Sequence, residues 1–182
     1  GSPRRFSYGA AGVRVTNGNY ITIRDCEITG NGNGIFLRGD DNGGEGTITR
    51  NTLIEGNYIY HNGNVGRETE HNIYSQGVDP IFQYNRIGRE REGALGSSLK
   101  DRSSGTVIRY NWIESNARTL DLVEAEDAST VVNESSYGDA YVYGNVMINE
   151  VDDTDNYAQA GNMVHFGADN MADDATGTCT AY

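Results

Sequence analysis

Ile108–Arg109–Tyr110–Asn111–Trp112–Ile113 carries an apolar–x–x–Asn–x–apolar frame whose recurrence decides how this chain folds. The same frame stands at Ile54–Asn57–Ile59, Phe82–Asn85–Ile87 and Val142–Asn145–Met147, and Ile23–Cys26–Ile28 is a fifth copy with Cys in the Asn place. The copies start at residues 23, 54, 82, 108 and 142, so they are spaced by 31, 28, 26 and 34 residues. A frame returning at intervals of roughly 20–50 residues marks a stack of supersecondary units rather than a single packed sheet. The uneven intervals place insertions between the frames.

Around each frame the apolar segments are short and are separated by turn residues. Gly accounts for 24 of 182 residues and Asn for 19, while Pro appears only twice. Gly and Asn tolerate the left-handed backbone that frequent sharp turns need. No stretch carries a sustained 3.6-residue apolar period, so the chain reads as all-β. Strands this short cannot bury an apolar face alone, but stacked in parallel each coil covers the next and the backbone groups pair between coils. The Asn column can then hydrogen-bond along the stack. Ile23, Ile54, Phe82, Ile108 and Val142 form one inward apolar column, and Ile28, Ile59, Ile87, Ile113 and Met147 a second. Within each coil the expected order is strand, turn, strand. A β-sandwich is the alternative, but it gives no reason for Asn to recur at one register. The overlapping match at Ile48–Asn51–Leu53 reads as a chance one.

The expectation is one domain over residues 1–182, with a repeat core at 13–166 and a tail or incomplete last coil at 167–182. No apolar run reaches the ~18 residues of a membrane span, and no secretory leader is visible in Gly1–Gly12. A net charge of −12 argues against a nucleic-acid partner. It also weighs against tight binding of a polyanionic glycan unless a cation bridges the two. Cys26 and Cys179 fall about four coils apart, roughly 20 Å at ~4.8 Å per coil, which is beyond disulfide reach. Cys26 reads as a buried thiol in the Asn column. Asn133–Glu134–Ser135 is a lone glycosylation sequon, and Asp152–Asp153–Asp155 reads as a solvated loop.

The frame resembles the right-handed parallel β-helix repeat of the pectate-lyase-like superfamily. More narrowly, four segments are similar to a group of secreted bacterial β-helix proteins: His71–Asn72–Ile73–Tyr74, Leu99–Lys100–Asp101–Arg102, Val107–Ile108–Arg109–Tyr110–Asn111 and Ala140–Tyr141–Val142–Tyr143–Gly144–Asn145. In that group the second segment often reads Lys-Ser-Arg, whereas Asp101 stands in the middle here. The resemblance implies a right-handed helix of about five to six coils, a secreted or cell-surface location, and a superfamily of carbohydrate lyases and hydrolases rather than one reaction. Lyases of the superfamily usually carry an amphipathic cap helix, and none is legible at either end. An uncapped helix or a piece of a longer one is therefore expected.

Aligning the second strand of each coil on its inward residue (Ile35, Ile73, Leu99, Leu120, Val164) places Phe36, Tyr74, Lys100, Asp121 and His165 on one outward face, because side chains alternate. Arg102 follows two positions beyond Lys100 on the same face. Polysaccharide lyases remove the proton beside a uronate carboxylate, neutralise that carboxylate, and protonate the leaving oxygen. The column offers Lys100 as base, Arg102 as partner of the carboxylate, and Tyr74 or His165 as proton donor. Asp121, with Asp101 or Glu124, would orient Lys100 or hold Ca²⁺, the one cofactor candidate. The plainer reading is a set of cross-strand ion pairs, Lys100 with Asp121 and Arg102 with Asp101, Glu124 or Glu126. His61 and His71 stand near turns and read as surface residues, and no His/Cys spacing suggests zinc. Two other function classes stay open. One is a structural protein that stacks head to tail through its open strand edges; the other is a glycan-binding module without catalysis.

Overall fold

The structure is a computed structural model that describes residues 6–7, 9–41, 47–150 and 162–167. Cys179, the Asp152–Asp155 run and the tail beyond Gly167 lie outside the described residues. The chain is a right-handed parallel β-helix whose strands, numbered along the chain, gather into three sheets of six, five and five.

The first sheet stacks β1 (Ala11–Val15), β4 (Asn33–Leu37), β7 (Ile73–Ser75), β10 (Ser97–Asp101), β13 (Arg118–Val123) and β16 (Val164–Gly167). The second stacks β2 (Thr22–Arg24), β5 (Leu53–Glu55), β8 (Ile81–Gln83), β11 (Thr106–Arg109) and β14 (Ala140–Tyr143). The third stacks β3 (Glu27–Thr29), β6 (Tyr58–Tyr60), β9 (Arg86–Ile87), β12 (Trp112–Ser115) and β15 (Val146–Asn149). Among the described residues the one α-helix is the short α1 (Ser129–Val132). Every named strand pairs in parallel with its counterpart one coil on.

Each coil thus holds three strands, not the two expected. The repeated frame is itself two strands, because the residue before each Asn or Cys bends the chain. Asp25, Tyr84 and Tyr110 adopt φ of 54°, 55° and 56° there, and Gly56 and Gly144 have φ of 65° and 67°. The inward columns are in register as expected: Ile23 with Ile54, Phe82, Ile108 and Val142, and Ile28 with Ile59, Ile87, Ile113 and Met147. Together with Ile35, Ile73, Leu99 and Leu120 they fill the cylinder. Ile48, from the overlapping match, instead joins a satellite cluster with Val78, Ala128 and Val131 outside the cylinder.

The Asn column forms a continuous ladder. The side-chain amide of Asn57 donates to the carbonyl of Ile23 at 2.9 Å and to Oδ1 of Asn85 at 3.0 Å. Asn85 does the same toward Ile54 and Asn111, and Asn111 toward Phe82 and Asn145. Each Oδ1 also accepts the backbone N–H of the preceding member, from Cys26 to Asn57 at 3.1 Å and onward. Every turn of the stack therefore satisfies groups that a corner would otherwise strand. Cys26 corrects the expectation of a buried thiol. It is exposed, because its copy starts the column, and its Sγ sits 3.1 Å from the carbonyl of Arg24.

A second amide stack was not foreseen. The side chain of Asn31 donates to Asn62 at 3.1 Å and that of Asn62 to Asn72 at 2.9 Å. The Asn72 amide then donates to the carbonyl of Gly88 at 2.7 Å. In the next coil Ser98 takes over at this corner and donates to the buried Glu90 at 2.6 Å. Glu90 also accepts from the Ser115 hydroxyl and the Asn116 N–H. Burial raises its pKa above the ordinary carboxyl value, and those hydrogen bonds offset the shift only in part.

Candidate functional site

The outer face of the first sheet carries the column expected from alternation, in the expected register. Arg14 pairs with Phe36, Phe36 with Tyr74, Tyr74 with Lys100, Lys100 with Asp121 and Asp121 with His165. Its exposure is not as expected. Lys100 is 5% exposed and Asp121 fully buried, whereas Phe36, Tyr74 and His165 are half-buried. The column therefore divides into a covered charge cluster and an open groove, joined at Tyr74.

In the cluster, cations converge on a single carboxylate. Asp121 lies 3.6 Å from Lys100 Nζ and 3.0 Å from Arg118 Nη1. It also accepts from His165 Nδ1 at 2.7 Å and from the Ser97 hydroxyl at 3.2 Å. Arg118 and Ser97 were not singled out from the sequence.

His71 corrects another expectation. It is buried, not a surface residue, and its Nδ1 accepts the Ser97 N–H at 2.8 Å, so a neutral ring carries its proton on Nε2. Its ring packs on that of Tyr74 with centroids 5.8 Å apart. Burial first, then the positive charges of Lys100, Arg118 and Arg102, hold its pKa well below the usual histidine value. A depressed histidine contributes stability that is present above its unfolded pKa and is lost as pH falls. His71 should therefore subtract stability below pH 6.5, at up to about 1.4 kcal/mol per pH unit for one proton, which urea denaturation reads against a variant lacking it. Glu90 and Asp101, both raised by burial, act in the opposite sense, since protonating them relieves the folded state. Their contribution is common to the wild type and a His71→Gln variant. The variant should lose less stability between neutral and acid pH; equal losses would contradict the account.

Asp101 does not stand where the sequence reading put it. Asp101 is in register with Ser75 and Leu122, and Ser75 with Leu37, so it occupies an inward column whose other members include core leucines. It accepts from Thr106 Oγ1 at 2.6 Å, and burial raises its pKa despite the Thr106, Ser103 and Ser75 hydroxyls. It faces away from Asp121 and cannot share a cation with it. Glu124 receives Arg102 Nη1 on its backbone carbonyl. The buried Arg102 pairs with Glu126 at 2.9 Å, one of the pairings considered for it. Among the described residues no group of three or more His, Cys, Asp or Glu side chains is arranged to hold a metal ion.

The open half is a groove of about 350 Å³, lined by Arg14, Phe36, Arg38, Tyr74, Gln76 and Asp127 among others. Its floor is an aromatic stack: the Arg14 guanidinium lies 5.0 Å over the Phe36 ring, and Phe36 and Tyr74 stack 4.9 Å apart. Arg38 pairs with Asp40 at the rim. Gln76, also unforeseen, ties the opposite wall down. Its amide donates to Asp127 Oδ1 at 3.0 Å and its oxygen accepts the Glu126 N–H at 3.3 Å. The Tyr74 hydroxyl reaches the same oxygen at 3.5 Å. An aromatic floor with arginine, amide and carboxylate walls suits a polyhydroxylated ring, whose apolar face stacks while its hydroxyls hydrogen-bond.

A family model described as a right handed beta helix region matches residues 4–150. No curated protein and no solved structure matches the chain.

Proposed function

Because the chain belongs to the right-handed β-helix family, we propose that the outer face of its first sheet is a carbohydrate site and that the protein is a secreted or cell-surface polysaccharide lyase. One observation carries this reading: Tyr74 is shared by the groove and the cation cluster, stacked on Phe36 at 4.9 Å and in register with Lys100. A sugar seated on the Phe36–Tyr74 floor brings its ring substituents to the Tyr74 hydroxyl and toward the field of Lys100 and Arg118.

In β-elimination the C5–H bond beside the uronate carboxylate breaks. Its electron pair forms the C4–C5 double bond, and the C4–O bond breaks with protonation of the leaving oxygen. Positive charge near the carboxylate lowers the cost of the carbanion. Lys100 fits that role better than the role of base, because it is buried with its Nζ held 3.6 Å from the Asp121 carboxylate. Tyr74, the half-buried hydroxyl one coil away, is the group placed to move the proton: as its phenolate it takes the proton from C5, and the hydroxyl so formed gives it to the C4 leaving oxygen. His165 stands three coils beyond Tyr74, about 14 Å at ~4.8 Å per coil, so the two do not serve one glycosidic bond. Arg102, engaged by Glu124 and Glu126, supports the groove wall.

Incubation with galacturonate, mannuronate and glucuronate polymers, with Ca²⁺ and with chelator, tests the reading through the ultraviolet absorbance of an unsaturated uronate. Product formation supports it. Binding without product would make the protein a glycan-binding module, and neither binding nor product would remove the carbohydrate reading.

A further inference from the structure

Away from the groove, the turn that precedes Cys26 and each Asn of the ladder carries its own column: Asp25, Gly56, Tyr84, Tyr110 and Gly144, all at positive φ. The Tyr84 and Tyr110 rings stack at 5.4 Å with only 15° between their planes, and Tyr143 packs edge-on against Tyr110 at 5.6 Å. The two glycines that bracket this pair differ in what surrounds them. A Cβ on Gly144 would lie 2.5 Å from the Tyr110 ring, so glycine there makes room for the aromatic pair. A Cβ on Gly56 would meet only Asp25 Oδ1, at 3.0 Å, and no atom of Tyr84 within 4 Å.

The rings therefore lean toward the Gly144 end. Tyr84 turns one face to Tyr110 and the other to the space above Gly56, and it remains 59% exposed. That space is one coil step deep, about 4.8 Å, which is the room a stacked ring needs. Its far wall is the exposed carboxylate of Asp25. Beside it Glu55, Gln83, Arg109 and Tyr143 form a hydrogen-bonded row, with Gln83 donating to Glu55 and Arg109 donating to Gln83 at 2.8 Å and to Tyr143 at 3.1 Å.

We propose that this gap in the tyrosine column is a second glycan site, taking one neutral pyranose ring stacked on Tyr84 over Gly56 with its hydroxyls donating to Asp25. An aromatic face next to an acceptor-only carboxylate suits a ring with one apolar face and a hydroxylated rim. Asp25 pairs with Arg24 at 3.3 Å and Glu55 accepts from Gln83 beside Arg109, so charge around the gap is balanced and the site suits a neutral sugar rather than the uronate of the groove. The proposal stands independently of the lyase reading, since it shares no residue with the groove or the cluster.

The gap can be filled by substitution. Tyr84 and Tyr110 already adopt the φ that Gly56 has, and the single neighbour of a new Cβ is the end of a flexible side chain. Gly56→Tyr should fold, extend the tyrosine column and occupy the site. The probes are neutral hexasaccharides of glucose, mannose and xylose, read by saturation transfer from protein to sugar ring protons. Wild type should show transfer to at least one of them. Tyr84→Ala and Gly56→Tyr should each weaken it at least tenfold, and Tyr20→Ala, at an exposed ring outside both sites, should leave it unchanged. No transfer with any probe, or transfer that survives both Tyr84→Ala and Gly56→Tyr, overturns the proposal. Thermal unfolding of each variant confirms that losses come from the site and not from the fold.

Discussion

Replacing Asp121 by Ala should cost about 3–5 kcal/mol of folding stability, the largest effect expected from any single charge in the molecule. Asp121 is fully buried, and Lys100 at 3.6 Å, Arg118 at 3.0 Å and His165 at 2.7 Å all close on its two oxygens. Removing it leaves the buried Lys100 and Arg118 without their shared counter-charge, and that desolvated charge sets the size of the loss. Lys100→Met should cost distinctly less, because Arg118, His165 and Ser97 stay on the carboxylate. Urea denaturation of the two variants beside the wild type measures both. A loss below about 1 kcal/mol for Asp121→Ala would place the cluster with exposed ion pairs, whose worth is of that order.

Asn85→Ala is expected to cost about 3 kcal/mol or more, because it leaves two buried backbone groups unpaired at ~1–3 kcal/mol each. Asn85 Oδ1 accepts the backbone N–H of Asn57, and its amide donates to the carbonyl of Ile54. No water reaches that turn to replace it, since Asn57, Asn85 and Asn111 are all buried. Asn145→Ala leaves the N–H of Asn111 and the carbonyl of Ile108, but the Asn145 side chain is itself only partly buried, so solvent can enter the space it vacates and the cost should be less than half as much. Equal costs at the two positions would show that the ladder does not act through burial.

The fold was legible because the frame Ile108–Asn111–Ile113 repeats with fixed internal spacing, and each position in it has one structural meaning. Ile108 and Ile113 face inward, and Asn111 closes the turn between them. That frame also fixed the outer column from Phe36 to His165, since alternation from Leu99 and Leu120 suffices over so short a strand. The same alternation would have turned Asp101 inward, so the sequence held the information that removes it from the site. His71, Ser97 and Arg118 were not legible for a different reason. Just before Ile73 and Leu99 the alternation bends, since Asn72 and Ser98 turn inward next to them. Asn72 joins the buried amide stack, and His71 is left with the outer cluster. Counting by twos across that bend gives the wrong face. Exposure was equally hidden, because the segments flanking the sheet vary in length from coil to coil and carry no frame of their own. Glu126 and Asp127 become the groove's wall through Arg102, Gln76 and the Asp41 N–H that donates to the Asp127 carbonyl.

The central claim is that the outer face of the first sheet, at Tyr74, receives an acidic glycan. The most direct measurement is a titration of isotope-labelled protein with galacturonate, mannuronate and glucuronate oligomers, following side-chain resonances residue by residue. Shifts should concentrate on Phe36, Tyr74, Gln76 and Arg14, with smaller ones at His165 through Asp121, and little change at Tyr84 or Tyr110. Shifts confined to the Tyr84–Tyr110 turn, or none with any oligomer at saturating concentration, would contradict the claim.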